Sequence, residues 1–350
     1  MSVTVEPQAT TRPLAESANA RRLVDLVFRL REFGIVAVLA LLVLVTALIE
    51  PRFLALSNIQ FILVDTTIFA LLALGETMVV LTRNVDLSIG SVLGLSAFLS
   101  ADLFGHHQGI SIALVFVFGC SIGVACGLVN GFFVVVGRVP SLVVTLAMLY
   151  IIRGIDTLIV GGGQVVASSL PNSFLEIPRK TVAGIPILAI VVAVVVGVGA
   201  FYLRSFRSGR ELYAIGSNPD AARLAGIPSG RRVFTAFVVC GGIAGVAGVL
   251  YAARYGTIDS TAGSGYELSV IAAVVVGGVA IFGGSGSAVG AAFGALLLNT
   301  ILSALYVLGV SPFWNQAIAG ALLLAAIALD RGISLYLAAA LRKRRTHLGA

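Results

Sequence analysis

The chain has 350 residues, of which 58% are hydrophobic and 11% are charged, whereas an ordinary soluble domain has roughly 25% charged residues. The mean hydropathy is +1.05, which excludes a soluble globular domain. The net charge of +7 would suit nucleic acid, but in so apolar a chain we interpret it as a signal that orients membrane spans.

The apolar segments in chain order predict about ten membrane spans of roughly 20 residues each. Lipid offers the backbone no hydrogen bonds, and continuous apolar runs such as 185–200 exclude the alternating strands of a barrel. The predicted fold is therefore an all-α, polytopic transmembrane helix bundle. The spans are 34–50, 59–82, 87–104, 110–136, 139–160, 184–203, 233–252, 268–282, 288–309 and 313–329, and the third and eighth are short enough to be either full crossings or re-entrant.

Three polar regions flank or interrupt these spans, namely an N-terminal segment 1–33, a loop 204–232 and a basic tail 330–350. Threading the spans alternately places most of the 23 Lys and Arg residues on the side of these three regions. Because positive loops stay in the cytoplasm, both termini are predicted to be cytoplasmic. The opposite face receives Arg52, Arg179, Lys180 and Arg254.

Motifs of soluble enzymes are missing from the chain. The only lysines are Lys180 and Lys343, and neither lies in a phosphate-binding loop, so this chain is not expected to hydrolyse nucleotide itself. The His and Cys residues do not cluster, which predicts no metal site; Cys120, Cys126 and Cys240 fall inside spans and are expected to pack as small apolar groups.

The fourth span carries a stripe of four glycines at four-residue steps. Such a stripe lets two helix backbones approach closely, which matters in lipid because burial there gives helices no hydrophobic driving force. The stripe, predicted to be a helix-packing surface, consists of Gly119, Gly123, Gly127 and Gly131. Gly241 with Gly245 and Gly290 with Gly294 repeat the spacing.

Polar side chains inside spans are candidates for a solute path, since they are costly there and usually serve function. Arg153 and Asp156 are three residues apart and can pair, either as a structural ion pair or in contact with a solute. Asn299 either lines the same path or bonds a neighbouring backbone. The candidates within spans are Asp65, Glu76, Asn130, Arg153, Asp156 and Asn299.

Two short motifs resemble each other five spans apart. Residues 85–89 open the third span with Asp86 and Ser88, and residues 266–270 open the eighth with Glu267. Five is an odd number, so the halves would be inverted repeats, a common plan in transporters; chance is the alternative. Each acid also suits a helix N-terminus. Because transporters with inverted repeats have their site near mid-membrane, Asp86, Ser88 and Glu267 are added to the path candidates.

The loop 204–232 contains residues that typically begin and end a short helix, here over about 219–225. Asn218 can cap it, Pro219 suits its first position, and Asp220 complements its dipole, while Gly226 ends it. The helix is either a plain connector or a docking surface for a cytoplasmic partner. The candidate coupling residues are Gly216, Asn218, Pro219, Asp220, Arg223 and Gly226.

Three ordered motifs carry a resemblance to a known family. They are residues 82–91 (TRNVDLSIGS), residues 213–227 (YAIGSNPDAARLAGI), and residues 271–278 (IAAVVVGG) with 283–286 (GGSG). The chain resembles the permease subunits of bacterial ABC importers of the ribose and autoinducer-2 type, over roughly residues 34–330.

The resemblance implies a permease domain over 34–329 in the bacterial inner membrane. It implies a second permease copy or a homologous permease, a cytoplasmic ABC ATPase and an extracytoplasmic sugar-binding protein as partners. ATP and Mg would be bound by that ATPase, so no cofactor is expected on this chain, and the loop 204–232 would be the coupling segment. The sugar, and whether the pair is identical, stay open.

Two rival functions remain. An ion-coupled secondary transporter with inverted repeats would use Asp65, Glu76 or Asp86 and would work without a separate ATPase. A membrane scaffold without transport would have little use for Arg153 and the acids inside spans.

Overall fold

The computed structural model describes residues 34–107 and 109–311, together with isolated positions between 314 and 328. The predicted cytoplasmic segment 1–33 and tail 330–350 lie outside the described residues, as does most of the predicted span 313–329.

The described chain folds mainly into helices, which we number α1 to α12. Their bounds are α1 Gly34–Ile49, α2 Leu56–Val80, α3 Ile89–His106, α4 Ile112–Val135, α5 Ser141–Val160, α6 Asn172–Leu175, α7 Ile187–Ser205, α8 Arg207–Ser217, α9 Pro219–Leu224, α10 Ser229–Tyr255, α11 Tyr266–Val276 and α12 Ala288–Val307. A small antiparallel hairpin, β1 Thr181–Val182 with β2 Ile185–Pro186, precedes α7.

Seven described helices are long and apolar enough to cross a membrane: α2, α3, α4, α5, α7, α10 and α12. The chain is therefore a polytopic bundle of apolar helices. The remaining predicted spans differ: α1 is a shorter apolar helix, and α11 has 11 residues, which is about 16 Å and roughly half of the hydrocarbon core. The count of ten spans stays a prediction.

Helix α10 lies at the centre of the bundle and packs against α2, α3 and α4. The glycine stripe of α4 faces it. A Cβ at Gly123 would overlap the carbonyl oxygen of Gly241, and one at Gly127 would overlap that of Phe237. Gly119 lies against Val249 and Gly131 against Phe234. These two backbones are therefore in direct contact, which only glycine allows.

The peripheral helices α4, α5 and α7 expose apolar side chains. Phe132, Ile151 and Val198 are examples, each with about half or more of its surface exposed. A surface of this kind suits lipid rather than water.

The chain reverses direction between α2 and α3. Arg83 adopts a left-handed conformation with φ 67°, which is rare for a residue with a Cβ. Its guanidinium donates hydrogen bonds to the carbonyl oxygens of Gly216 and Ser217 at the end of α8, and these contacts hold the turn. The chain then continues without helix until α3 begins after Ser88.

A second irregular segment, residues 256–265, leads from α10 to α11. It begins at Gly256 (φ 68°) and ends at Gly265 (φ 81°), both in conformations that favour glycine. A Cβ at Gly90, in the first turn of α3, would overlap Glu267 and Gly263, so the N-termini of α3 and α11 are neighbours. Residues 85–88 of the first motif precede α3, which begins at Ile89, whereas 266–270 lies inside the first turns of α11. The inverted repeat therefore stays a hypothesis.

Loops predicted to share a membrane face do meet in the fold. At one end of the bundle, Gln60 donates to the carbonyl oxygen of Gly184, and Val165 pairs with Ile258. At the other end, the amide of Gly284 donates to Leu81 O. These three contacts each join loops that were predicted to lie on one face, and the orientation of the two ends in the membrane stays a prediction.

Candidate functional site

A cavity of about 520 Å³ opens between α2, α11 and α12 near the end of the bundle that carries residues 60 and 184. Its polar lining includes Asp65 and Asn299, two predicted path residues. The Asn299 amide also donates to the carbonyl oxygen of Ala295 at 2.9 Å, so this side chain faces the cavity and bonds its own helix.

Asp65 is paired with an arginine at the cavity. Its carboxylate accepts a hydrogen bond from Arg254 Nε at 2.7 Å, and the guanidinium carbon lies 4.7 Å from the centre of the Phe61 ring. The pair joins α2 to the end of α10, and Asp65 lies in the cavity beside aromatic surface. The sequence predicted Asp65 but assigned Arg254 only to the outer face; 189 positions separate the two, so no local spacing signals the pair.

Aromatic rings form the cavity wall beside this ion pair. Tyr266 packs on Phe69 with ring centres 4.5 Å apart, and Tyr251 packs on Tyr255 at 4.4 Å. Of these four, Phe69, Tyr255 and Tyr266 line the cavity. Sequence reasoning missed these rings, although Tyr251 and Tyr255 lie four residues apart and so share one helix face.

A second polar cluster is buried and does not line the cavity. Asp86 accepts hydrogen bonds from the Ser88 hydroxyl (2.6 Å) and from the Asn130 amide, and Glu76 accepts one from the Asp86 backbone amide at 3.0 Å. All four side chains are buried, and none lines the 520 Å³ cavity. Their hydrogen bonds connect the turn between α2 and α3 to α4, and their role in a solute path stays a prediction.

Arg153 and Asp156 form a third group. The Arg153 guanidinium donates to the carbonyl oxygens of Ser260 (3.1 Å) and Ala262 (2.6 Å), while its closest approach to Asp156 is 3.9 Å. Arg153 therefore holds the irregular segment 256–265 to α5, and Asp156 balances its charge. Glu267 stands at the edge of this group, against Gly90.

Helices α8 and α9 form an exposed hook at the opposite end of the bundle. The Asn218 side chain caps α9 by accepting from the Ala221 amide at 3.0 Å, Pro219 follows the cap, and Arg223 pairs with Asp220 at 2.7 Å. Gly226 has φ 73°, which ends the helix. The helix predicted over about 219–225 thus has the local structure that its sequence indicated.

Two features of this hook were not predicted. Leu224 is 89% exposed although it is a large apolar residue, and α8 precedes α9 as a separate amphipathic helix. The signal for α8 was present, since its buried residues Gly209, Leu212 and Gly216 recur at three and four positions.

Gly216 is the point where the hook meets the bundle. A Cβ there would overlap the carbonyl oxygen of Leu81 and the amide nitrogen of Gly284. The end of α8 therefore contacts both the turn after α2 and the loop after α11. The first of these segments leads into α3, and the second follows α11 directly.

Glu211 fixes α8 to α10. Its carboxylate accepts from Arg207 Nε at 2.8 Å and from Arg232 Nε. These two guanidinium groups, Arg232 above all, hold the pKa of Glu211 below its ordinary value, so the bridge stays ionised at neutral pH. Sequence reasoning did not single out Glu211.

Within the described part of the chain, no three His, Cys, Asp or Glu side chains converge as metal ligands. The cysteines Cys120, Cys126 and Cys240 are present as free thiols.

Comparison with known proteins gives a consistent set of relatives. The family described as branched-chain amino acid transport system / permease component matches residues 58–327. The autoinducer 2 import system permease protein of Enterobacter sp. (strain 638) is 37% identical over 84% of this chain and 84% of its own length. The ribose import permease protein of Escherichia coli (strain K12) is 33% identical over 90% of this chain and 98% of its own length. No solved structure gives a significant match.

Proposed function

The chain belongs to the branched-chain amino acid transport system / permease component family, and from this premise we propose that it is the membrane permease of an ABC importer for a monosaccharide or sugar-like solute. The names of its relatives, a ribose and an autoinducer 2 import permease, support this substrate class. The protein is a multi-pass permease of the inner membrane; in our proposal it has about ten spans and both termini in the cytoplasm.

The cavity lined by Asp65 gives the main structural support for this function. In our proposal it is the outer part of the solute path. Sugars offer hydroxyl groups that donate and accept hydrogen bonds, and apolar ring faces that pack on aromatic side chains. Asp65, which is bonded to Arg254, supplies a polar partner, and Phe69 and Tyr266 supply apolar walls. Asn299 adds an amide. A solute would be delivered here by an extracytoplasmic sugar-binding protein.

The α8–α9 hook is proposed as the docking site for a cytoplasmic ABC ATPase. Its exposed Leu224 and its charged Asp220 and Arg223 suit a protein partner with a mixed polar and apolar groove. ATP and Mg would be bound by that ATPase and not by this chain. A second permease, identical or homologous, would complete the pair.

Reconstitution tests the function directly. Liposomes containing the permease, its ATPase and its binding protein should accumulate a labelled sugar from a panel of pentoses and hexoses only when ATP is enclosed. Liposomes with the permease alone should accumulate none, with or without a proton or sodium gradient. Accumulation by the permease alone, driven by such a gradient, would instead support an ion-coupled secondary transporter.

A further inference from the structure

An apolar groove on the outside of the bundle is separate from the solute cavity. It runs between α4 and α7, with one face of α10 as its floor, and encloses about 670 Å³. Its lining consists of Val, Leu, Ile and Phe side chains with Cys120 and Gly242, except at one end. At that end stands Lys180, the one charged side chain among the described residues that line it.

The dimensions of the groove fit one leaflet of a bilayer. Its floor extends along α10 from Val238 to Leu250, which corresponds to about 18 Å of helix. Half of a hydrocarbon core is about 15 Å. Lys180 precedes α7 and lies in the region that joins the hairpin to Ile177, and therefore at the same end of the bundle as Gly184. With Lys180 placed at a membrane surface, the length of the groove would bring its far end to about the bilayer midplane.

The groove opens sideways toward the membrane. Val191 is 50% exposed and Val239 is 42% exposed, so the wall and floor are accessible from the lipid. Lys180 is exposed, which places a positive charge at the mouth. A long apolar slot with a cationic mouth is complementary to an acyl chain that carries an anionic headgroup.

We propose that this groove binds one anionic phospholipid of the outer leaflet, with an acyl chain along α10 and its phosphate at Lys180. The lipid would fill the space between α4 and α7. It would therefore fix the position of α7, which leads directly into α8, the first helix of the hook.

Native mass spectrometry of the full-length chain in a mild detergent tests the proposal. The protein is exposed to an equal mixture of phosphatidylglycerol and phosphatidylcholine with identical acyl chains. Wild-type protein should retain one phosphatidylglycerol preferentially. Lys180→Glu should lower that preference about five-fold or more, since one basic residue near a membrane surface contributes about 1 kcal/mol. Val246→Trp, which fills the floor, should abolish retention of either lipid at this site.

Two matched controls separate this site from general effects. Arg52→Glu reverses an exposed charge outside the groove, and Val198→Trp adds the same ring at an exposed position of α7 that does not line it. Both should behave as wild type. Equal retention of the two lipids by wild type, or an unchanged preference in Lys180→Glu, would overturn the proposal. A change in oligomer mass in Val246→Trp without lipid loss would assign the groove to a second copy and also overturn it.

Discussion

Asp65 and Arg254 each depend on the other for neutralisation. Their side chains are 12% and 21% exposed, respectively, and they lie between two membrane helices. Asp65→Asn keeps the shape of the side chain but leaves Arg254 without its counter-charge. Removing one partner of a fully buried pair costs about 3–5 kcal/mol, and for this partly exposed pair we expect about 2 kcal/mol. Thermal unfolding of the purified protein measures the loss, and sugar uptake should fall with it.

The control for this prediction is Glu176→Gln, which removes an exposed acid near the same end of the bundle and should leave stability unchanged. The double variant Asp65→Asn with Arg254→Gln should recover part of the stability. A single Asp65 variant as stable as wild type would show that the pair contributes nothing.

Glu211 gives the hook a defined pH dependence. Its pKa is lowered in the fold from an ordinary value of 4.5, so the bridge stabilises the fold fully above about pH 4.5 and is lost as pH falls through the lower folded pKa. Glu211→Gln should therefore be less stable than wild type by about 1–3 kcal/mol between pH 5 and 8. The two proteins should converge in acid below pH 4.5. Unfolding curves across this range check the prediction, and a constant difference down to pH 3 would contradict it.

The packing of α4 on α10 can be tested by a single methyl group. Gly123→Ala places a Cβ against the carbonyl oxygen of Gly241, and we expect a loss of at least about 2 kcal/mol because the backbones must separate. Gly154→Ala on α5 is the matched control, since its Cβ meets nothing within 4 Å. There the better helix propensity of alanine should leave stability equal or slightly higher. Thermal stability that is lowered equally in both variants would contradict the proposed contact.

The docking role of α9 is tested at its exposed leucine. Leu224→Asp should reduce co-purification of the ATPase by at least about ten-fold, as expected for an apolar anchor worth more than about 1.4 kcal/mol. Asp220→Arg and Gly226→Trp should act in the same direction. The control Val182→Asp also replaces an exposed apolar side chain by Asp, in the hairpin at the opposite end, and should leave ATPase binding intact. Normal co-purification and uptake in Leu224→Asp would identify α9 as a plain connector.

Local patterns predicted many elements of this fold well. The predicted span 110–136 corresponds to α4, Ile112–Val135, and the span 139–160 to α5, Ser141–Val160. Capping residues located α9 to within one residue. These features depend on neighbours in sequence, so the sequence alone contains them.

What could not be predicted depends on contacts between distant segments. Glu76 and Asn130 were predicted as path residues because each is a polar group inside an apolar span, and Asp86 because its motif opens the third span. Only the packing of α2, α3 and α4 reveals that they bond one another. The length of α11 was also obscured, because the residues that follow Val276 are as apolar as the helix itself but lie in turns.

For the whole molecule, the predicted orientation can be measured. In a variant without native cysteines, Ser173→Cys should react with a membrane-impermeant maleimide in intact spheroplasts, whereas Arg223→Cys should react only in inside-out vesicles. Both positions are exposed, so accessibility within the fold does not differ between them. The reverse pattern would invert the orientation and remove the α8–α9 hook from the cytoplasm.

The contact of α4 with α10 also restricts how the whole protein can change shape. Where two helices touch through carbonyl oxygens and Cα atoms, a slide of one past the other by even an ångström drives atoms together, whereas side chains between helices can change rotamer and absorb motion. We therefore expect α4 and α10 to move as one rigid unit. We expect any alternation between outward and inward access to leave this contact unchanged and to occur between other helices of the bundle.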